Sequence, residues 1–275
     1  MPLSAANVAE QAGKLEKADI TNAGAIHASL PDELRDAARS PEGSMQLIFA
    51  LALSADAAMR ARQLAMLEKY TDPATRAGIE QLAAGLPQLH PLQRLPLAQL
   101  AFPALRRRPR PALQSFLVAL NHLIQADGKV ELEEYCLGKL IAVQVIDALD
   151  PSKARPSGSA KLPTCAQDLS DVFAIVAQRG SNDAADAQRA YLLGMHEVLP
   201  VAIPMFAPPV EWATAMDRAL PKLDQLTPAG KELVVRGLAQ TIGADGVVTV
   251  TEAELLRTVC AALHCPLPPM FNQAA

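Results

Sequence analysis

Aromatic residues are scarce in this chain: six Phe, three Tyr and one Trp, 4% of the residues, although half of all positions are hydrophobic. Sheet cores draw heavily on aromatic and β-branched side chains, so an apolar half rich in Ala and Leu favours helices instead. Cysteine is sparse too. Cys136, Cys165, Cys260 and Cys265 form no C-x-x-C pair and no secreted-type framework. That argues against a disulfide-stapled fold and for reduced thiols in a cytosol-facing protein. Cys260 and Cys265 bracket His264, but no second half of a metal clip accompanies them, and burial at a helix end accounts for both. Positive charge is not in excess. A net charge of −4 gives no general attraction for nucleic acid or anionic membrane. The one basic cluster, Arg106, Arg107, Arg108 and Arg110, is interrupted by Pro109 and reads as a solvated loop before a helix. Long apolar runs are missing: the stretch 47–53 is far short of the roughly 20 residues a membrane helix needs, so no direct membrane insertion is expected. The opening residues, MPLSAANVAEQAGKLEKAD, lack the basic and apolar regions of a signal peptide, and a soluble chain is expected.

Catalytic motifs are also lacking. His196-Glu197 begins a zinc-protease pattern, but Pro200 stands where the second histidine of H-E-x-x-H belongs. His27, His90, His122 and His264 are scattered singly, and there is no G-x-S-x-G, Walker loop or dinucleotide fingerprint. The sequence therefore offers no catalytic residue.

What is present is a repeat. Ala126-Asp127-Gly128 interrupts an apolar helical run, and Ala244-Asp245-Gly246 interrupts another 118 residues later. The offset holds without a gap: Pro103 pairs with Pro221, Leu120 with Leu238, Ile124 with Ile242, Val130 with Val248, and Glu134 with Glu252. A match of both apolar phase and helix breakers is a stronger repeat signal than composition. In the first unit Leu113, Phe116, Leu117, Leu120, Leu123 and Ile124 make a helical stripe. Gly128 then suits a helix-ending left-handed position, and a second helix runs from about residue 131 to 150, carrying Leu137, Leu140, Ile141 and Val145.

Around these units the chain reads as short helices. Residues 1–24 are a linker or frayed helix, 25–150 a helical unit with the first break, 151–163 a Pro-, Ser- and Gly-rich loop, and 164–270 a helical unit with the second break. Helix starts are expected at Ser29-Leu30-Pro31-Asp32-Glu33 with Pro31 near the first helical position, at Ser40-Pro41, near Ser54-Ala55-Asp56, and at Pro73. The third of these should carry Met59, Leu64, Met66, Leu67 and Tyr70. Pro91, Pro96 and Pro103 predict a broken helix or several turns across 88–105. Later helices are expected over 164–179, from the 180–183 cap to Pro200, over 211–220 beyond the Pro-rich bend 200–209, from Thr227-Pro228 to Gly243, and from Thr249 to about His264. The β-like run 247–250 has no partner strand, so the fold class is all-α: a multi-helix array with two helix–Ala-Asp-Gly–helix pseudo-repeats.

The D-G-x5-E spacing at Asp127-Gly128 to Glu134 and at Asp245-Gly246 to Glu252 matches the second half of an EF-hand loop. The first half is absent, because Leu123, Gln125, Thr241 and Gly243 stand where ligands belong, and Ca²⁺ wants six to eight oxygens. The same residues have a structural reading: Thr249 and Glu252, and more weakly Glu131 and Glu134, are spaced as capping boxes, with Val130 and Val248 as apolar plugs. Asp127, Glu134, Asp245 and Glu252 remain the candidate ligands if a divalent cation binds here.

Two family resemblances rest on these residues. The unit Leu123-Ile124-Gln125-Ala126-Asp127-Gly128-Lys129-Val130 with Glu134 resembles the tellurite-resistance TerB-like helical domain and the regulatory region of membrane-anchored DnaJ-like proteins. That resemblance implies metal binding at Asp127 and Glu134, and at Asp245 and Glu252 in the second unit. Over most of the chain, LPDELRDAARSPEGSMQLIFALALSADAAMRARQLAML and then LPLAQLAFPALRRRPRPALQSFLVALNHLIQADGKVELEEYCLGKL are similar to the cytosolic C-terminal extension of proteobacterial HtpX-like membrane zinc metallopeptidases, relatives of the CAAX prenyl proteases. This implies a non-catalytic interaction or regulatory region at the cytoplasmic face of the inner membrane. Its zinc would lie in a catalytic domain outside this sequence, and its partners would be that domain or protein substrates. The departure is total for catalysis, with no H-E-x-x-H and no transmembrane span, so the resemblance implies a detached or truncated tail, or a catalytic partner domain on another polypeptide. The alternatives are a stand-alone TerB-like metal-responsive stress protein, or a helical scaffold that takes partner peptides along the Arg106–Arg110 edge or in a groove between units.

Overall fold

Side-chain caps mark where many of the helices begin. Ser40, Asp56, Asp72, Asp183 and Thr227 accept from the N–H groups of Gly43 (2.9 Å), Met59 (2.8 Å), Thr75 (2.8 Å), Ala185 (2.7 Å) and Gly230 (3.2 Å). The N–H and hydroxyl of Thr75 also hold the Asp72 carboxyl below its ordinary range. The computed structural model describes residues 30–152, 158–181, 183–246 and 248–265, and over these the protein is all-α. Its helices are α1 (Asp32–Arg39), α2 (Pro41–Ala52), α3 (Ala57–Leu67), α4 (Pro73–Gly85), α5 (Pro91–Leu105), α6 (Arg110–Ile124), α7 (Leu132–Leu149), α8 (Ala166–Gly180), α9 (Ala184–Val198), α10 (Trp212–Leu223), α11 (Pro228–Ile242) and α12 (Val250–Ala262). The only β pairing among the described residues is an isolated bridge from Ala160 to Leu226. The expected linker 1–24, Ser29, Asn182, Val247 and the tail beyond 265 lie outside the described residues.

The chain divides into two compact units, one of residues Ala23–Lys153 and one that includes everything from Ala154 onward. In the first, α2 is buried almost all round and packs against α1, α4, α5 and α6. Phe49 of α2 and Phe116 of α6 meet with ring centroids 5.0 Å apart. The α6 stripe faces inward as its period predicts, with only Leu117 half-buried. In the second unit α8 is the hub. Residues 168–177 are all buried, and α9, α10, α11 and α12 surround it.

Three sequence expectations are corrected. Pro31 is the N-cap of α1, and Asp32 and Glu33 fill its first turn. Residues 91–105 form one continuous helix despite Pro96 and Pro103 within it. An interior proline costs about 3 kcal/mol, but burial of Leu95, Leu97 and Leu105 at 0–3% exposure returns roughly 1.5–3 kcal/mol each. The third correction concerns α3. It ends at Leu67, so Tyr70 lies beyond it; Met59, Leu64 and Met66 are only half-buried, whereas Leu67 is 1% and Gln63 2% exposed. The Gln63 amide accepts from the Ser54 N–H (2.8 Å) and donates to the Ala52 (3.4 Å) and Leu123 (3.0 Å) carbonyls, tying α3 to the ends of α2 and α6. Gln63→Leu is therefore expected to destabilise the first unit by roughly 1–3 kcal/mol, despite its greater hydrophobicity, because it strands buried backbone groups. Urea denaturation would measure this, and an unchanged midpoint would refute it.

Candidate functional site

The two Ala-Asp-Gly turns are built alike. Helices α6 and α11 begin at Arg110 and Pro228 and end at Ile124 and Ile242, all 118 residues apart, and α7 and α12 begin at Leu132 and Val250 with the same spacing. The C-cap residues Gln125 and Gly243 have φ/ψ of −93°/10° and −93°/9°. The N–H groups of Gly128 and Gly246 then bond to their carbonyls at 3.1 Å. Gly128 and Gly246 sit at φ 76° and 82°, the left-handed region where a side chain is strained.

Asp127, Glu134 and Glu252 each have a local role in this arrangement. Asp127 is exposed, and its carboxylate accepts from the Lys129 N–H at 2.9 Å. Glu134 reaches back to the Glu131 N–H at 3.1 Å. Glu252, 5% exposed, accepts from the Thr249 N–H and hydroxyl, both at 2.8 Å, while the Thr249 hydroxyl accepts from the Glu252 N–H at 3.2 Å. This is the reciprocal capping box its spacing predicts. The turns also bring the carboxylates of each pair into electrostatic range. Burial raises the pKa of both Glu134 and Glu252, and the charges of Asp127 and Asp245 add to the rise. Among the described residues, no group of three or more His, Cys, Asp or Glu side chains is gathered for a metal ion.

These shifts have a sign. A carboxyl whose folded pKa exceeds its unfolded value binds its proton more tightly when folded. The stability so gained is fully present below the ordinary glutamate value of 4.5 and is lost as the pH rises through the folded values. Glu134→Gln with Glu252→Gln is therefore expected to flatten the fall in melting temperature as the pH rises from about 4.5. Identical pH profiles for the variant and the parent would refute the assignment.

A second cluster lies in the second unit. Asp168 and Asp171, one turn apart on α8, are 7% and 4% exposed. All four of their carboxylate oxygens accept hydrogen bonds. Lys222 donates to both oxygens of Asp168 (2.9 and 3.1 Å), Gln167 to Asp171 Oδ1 (2.7 Å), and Arg218 to Asp171 Oδ2. With Pro209 these residues line a cleft of about 510 Å³. Next to Asp171, Ser170 Oγ lies 2.8 Å from the Tyr191 hydroxyl, which donates to the Pro204 carbonyl at 2.8 Å. Sequence reading missed this cluster. The available signal was two acids three residues apart on α8 and two bases four apart on α10, but nothing local says that those faces meet.

A third polar group sits deeper. Lys231, 0% exposed, donates to Asp224 Oδ1 (2.6 Å) and to the Leu263 carbonyl (2.8 Å), and His264 Nδ1 lies 2.9 Å from the same Asp224 oxygen. The four cysteines are free thiols. Cys260 is wholly buried, and its pKa is pushed far up by that burial; the half-buried Cys265 is also raised.

No helix among the described residues is long and apolar enough to cross a membrane. Comparison with protein-family models, with curated proteins and with solved structures finds no match for this chain.

Proposed function

We propose that this chain is a non-catalytic helical interaction or regulatory module, acting in the manner implied by its resemblance to the cytosolic extension of HtpX-like metallopeptidases. The observation that carries the reading is the doubled hairpin. In two helix–turn–helix units the first helices and the starts of the second share one 118-residue offset, although the second helices end at Leu149 and Ala262, and Glu134 and Glu252 are engaged in capping backbone N–H groups. Repeated hairpins of this kind serve as scaffolds that present surfaces to partners. The partner in this reading is a membrane metallopeptidase catalytic domain or its protein substrates, at the cytoplasmic face of the inner membrane. The purified chain, given zinc, is expected to leave casein intact. Zinc-dependent, chelator-sensitive cleavage would overturn the proposal.

A second reading is a TerB-like metal-responsive stress protein, and one observation favours it: Asp127 acts electrostatically on Glu134, and Asp245 on Glu252. A cation that bridged either pair would bind only the folded chain. At 100 times its Kd it would add about 2.7 kcal/mol of stability. Melting curves with Ca²⁺, Mg²⁺ and Zn²⁺ test this, and an unchanged midpoint with all three would sink it.

A further inference from the structure

The charged cleft in the second unit shows solvent a charge opposite to the one it buries. Asp168 and Asp171 have no oxygen left without a donor. The side chains of Arg218 and Lys222 are each 55% exposed. Both cations are thus accessible to solvent while the buried carboxylates hold them in place. The accessible polar surface of the cleft therefore consists mainly of oriented donors, which suits an oxyanion.

One rim of the cleft is apolar. Residues 200–209, PVAIPMFAPP, run in irregular backbone from α9 towards α10 and reach the cleft at Pro209. The segment is pinned to α9: the Tyr191 hydroxyl holds the Pro204 carbonyl, and the Tyr191 and Phe206 rings lie 5.3 Å apart. Within it Val201 and Met205 are 97% and 83% exposed, and Val210, the next residue after it, is 93% exposed. Single exposed apolar residues are ordinary on a protein surface. Three such residues in and just after one pinned segment, which meets the cation cleft at Pro209, supply the apolar half of a peptide-recognition surface.

We infer that this cleft and its rim are a docking site for an extended peptide segment in which one acidic side chain is flanked by apolar residues. The carboxylate meets Arg218 and Lys222, and the flanking residues cover Met205 and Val210. The inference rests on the interaction-module reading and supplies that reading with a site and a partner chemistry.

The test uses the full chain, ¹⁵N-labelled and titrated with the peptide acetyl-Ala-Leu-Glu-Leu-Ala-amide and with its counterpart carrying Lys for Glu. The Glu peptide should shift the amides of residues 167–171, 205–210 and 218–222, and the Lys peptide should bind about tenfold more weakly, the scale of one charge-assisted hydrogen bond. Replacing this ion pair by a neutral one, Asp168→Asn with Lys222→Gln, should weaken binding by a similar factor. Met205→Ser with Val210→Ser changes only exposed positions and should weaken it about fivefold. Shifts confined to other surfaces would overturn the cleft assignment and leave the interaction-module reading standing. Equal binding of both peptides, or no shift with either, would overturn the docking site. Casein cleavage in the earlier assay would instead sink the broader reading.

Discussion

Gly194→Ala should destabilise the second unit by about 3 kcal/mol. Helix propensity alone predicts the opposite sign, since alanine is favoured over glycine in a helix interior by roughly 0.5–1 kcal/mol. Gly194 lies inside α9, where it crosses α11 at Gly237. A Cβ at 194 would stand 2.6 Å from the Gly237 carbonyl oxygen, 2.0 Å from Thr241 Oγ1 and 2.9 Å from the Phe173 ring. A Cβ at 237 would meet the Gly194 carbonyl oxygen at 2.7 Å and the same ring at 3.0 Å. The Thr241 hydroxyl could turn aside, although it would give up its 3.1 Å bond to the Gly237 carbonyl. The backbone of α11 and the fully buried Phe173 have nowhere to go, so the helices must part and lose packing along their length. Gly85, at the end of α4, has nothing within 4 Å of its would-be Cβ. Gly85→Ala should be neutral or gain up to about 1 kcal/mol. Urea unfolding of both variants decides the matter. A Gly194→Ala protein as stable as its parent would show that this crossing tolerates separation.

Lys231→Met should cost about 3–5 kcal/mol, the penalty for breaking a buried ion pair by removing one partner. The ammonium is wholly buried, and the variant would leave Asp224, whose side chain is 15% exposed, without its main counter-charge. It would also strand the Leu263 carbonyl, which lies at the C-cap of α12 and receives the Lys231 proton at 2.8 Å. The energy belongs to the pairing more than to lysine as such. At the corresponding place in the first hairpin, 118 residues earlier, Leu113 is 2% exposed and Arg106 stands in the register of Asp224. A buried apolar residue therefore serves the same helix position when no acid faces it. Lys231→Met combined with Asp224→Leu should recover much of the loss, and the double-mutant cycle should give a coupling of about 2 kcal/mol or more. Strictly additive effects would show that the two residues act separately.

The helical class and many helix starts were legible because they rest on local chemistry. Ser40, Asp56, Thr227 and Thr249 stand out by their side-chain oxygens, Ser40 and Thr227 also by the proline at the first helical position, and each caps a helix. The Ala-Asp-Gly turns were legible for the same reason: a left-handed position selects glycine wherever it occurs. The candidate site was less legible. Asp127, Glu134, Asp245 and Glu252 were visible as a spacing. The engagement of Asp168 and Asp171 by α10 was not, because it depends on how two separate helices pack.

By itself, then, the sequence determined the all-α class, the stripe on α6, the left-handed glycines of the two Ala-Asp-Gly turns and the Thr249–Glu252 capping box. All of these depend on interactions within a few residues along the chain. Only the tertiary structure decided that α5 runs unbroken through Pro96 and Pro103, that Gln63 is buried beside Leu67, that two glycines let α9 and α11 touch, and that Lys231 belongs inside. In each of these the local preference is outweighed by residues distant in sequence, whether through burial of leucines, satisfaction of buried carbonyls, or a counter-charge brought in by another helix.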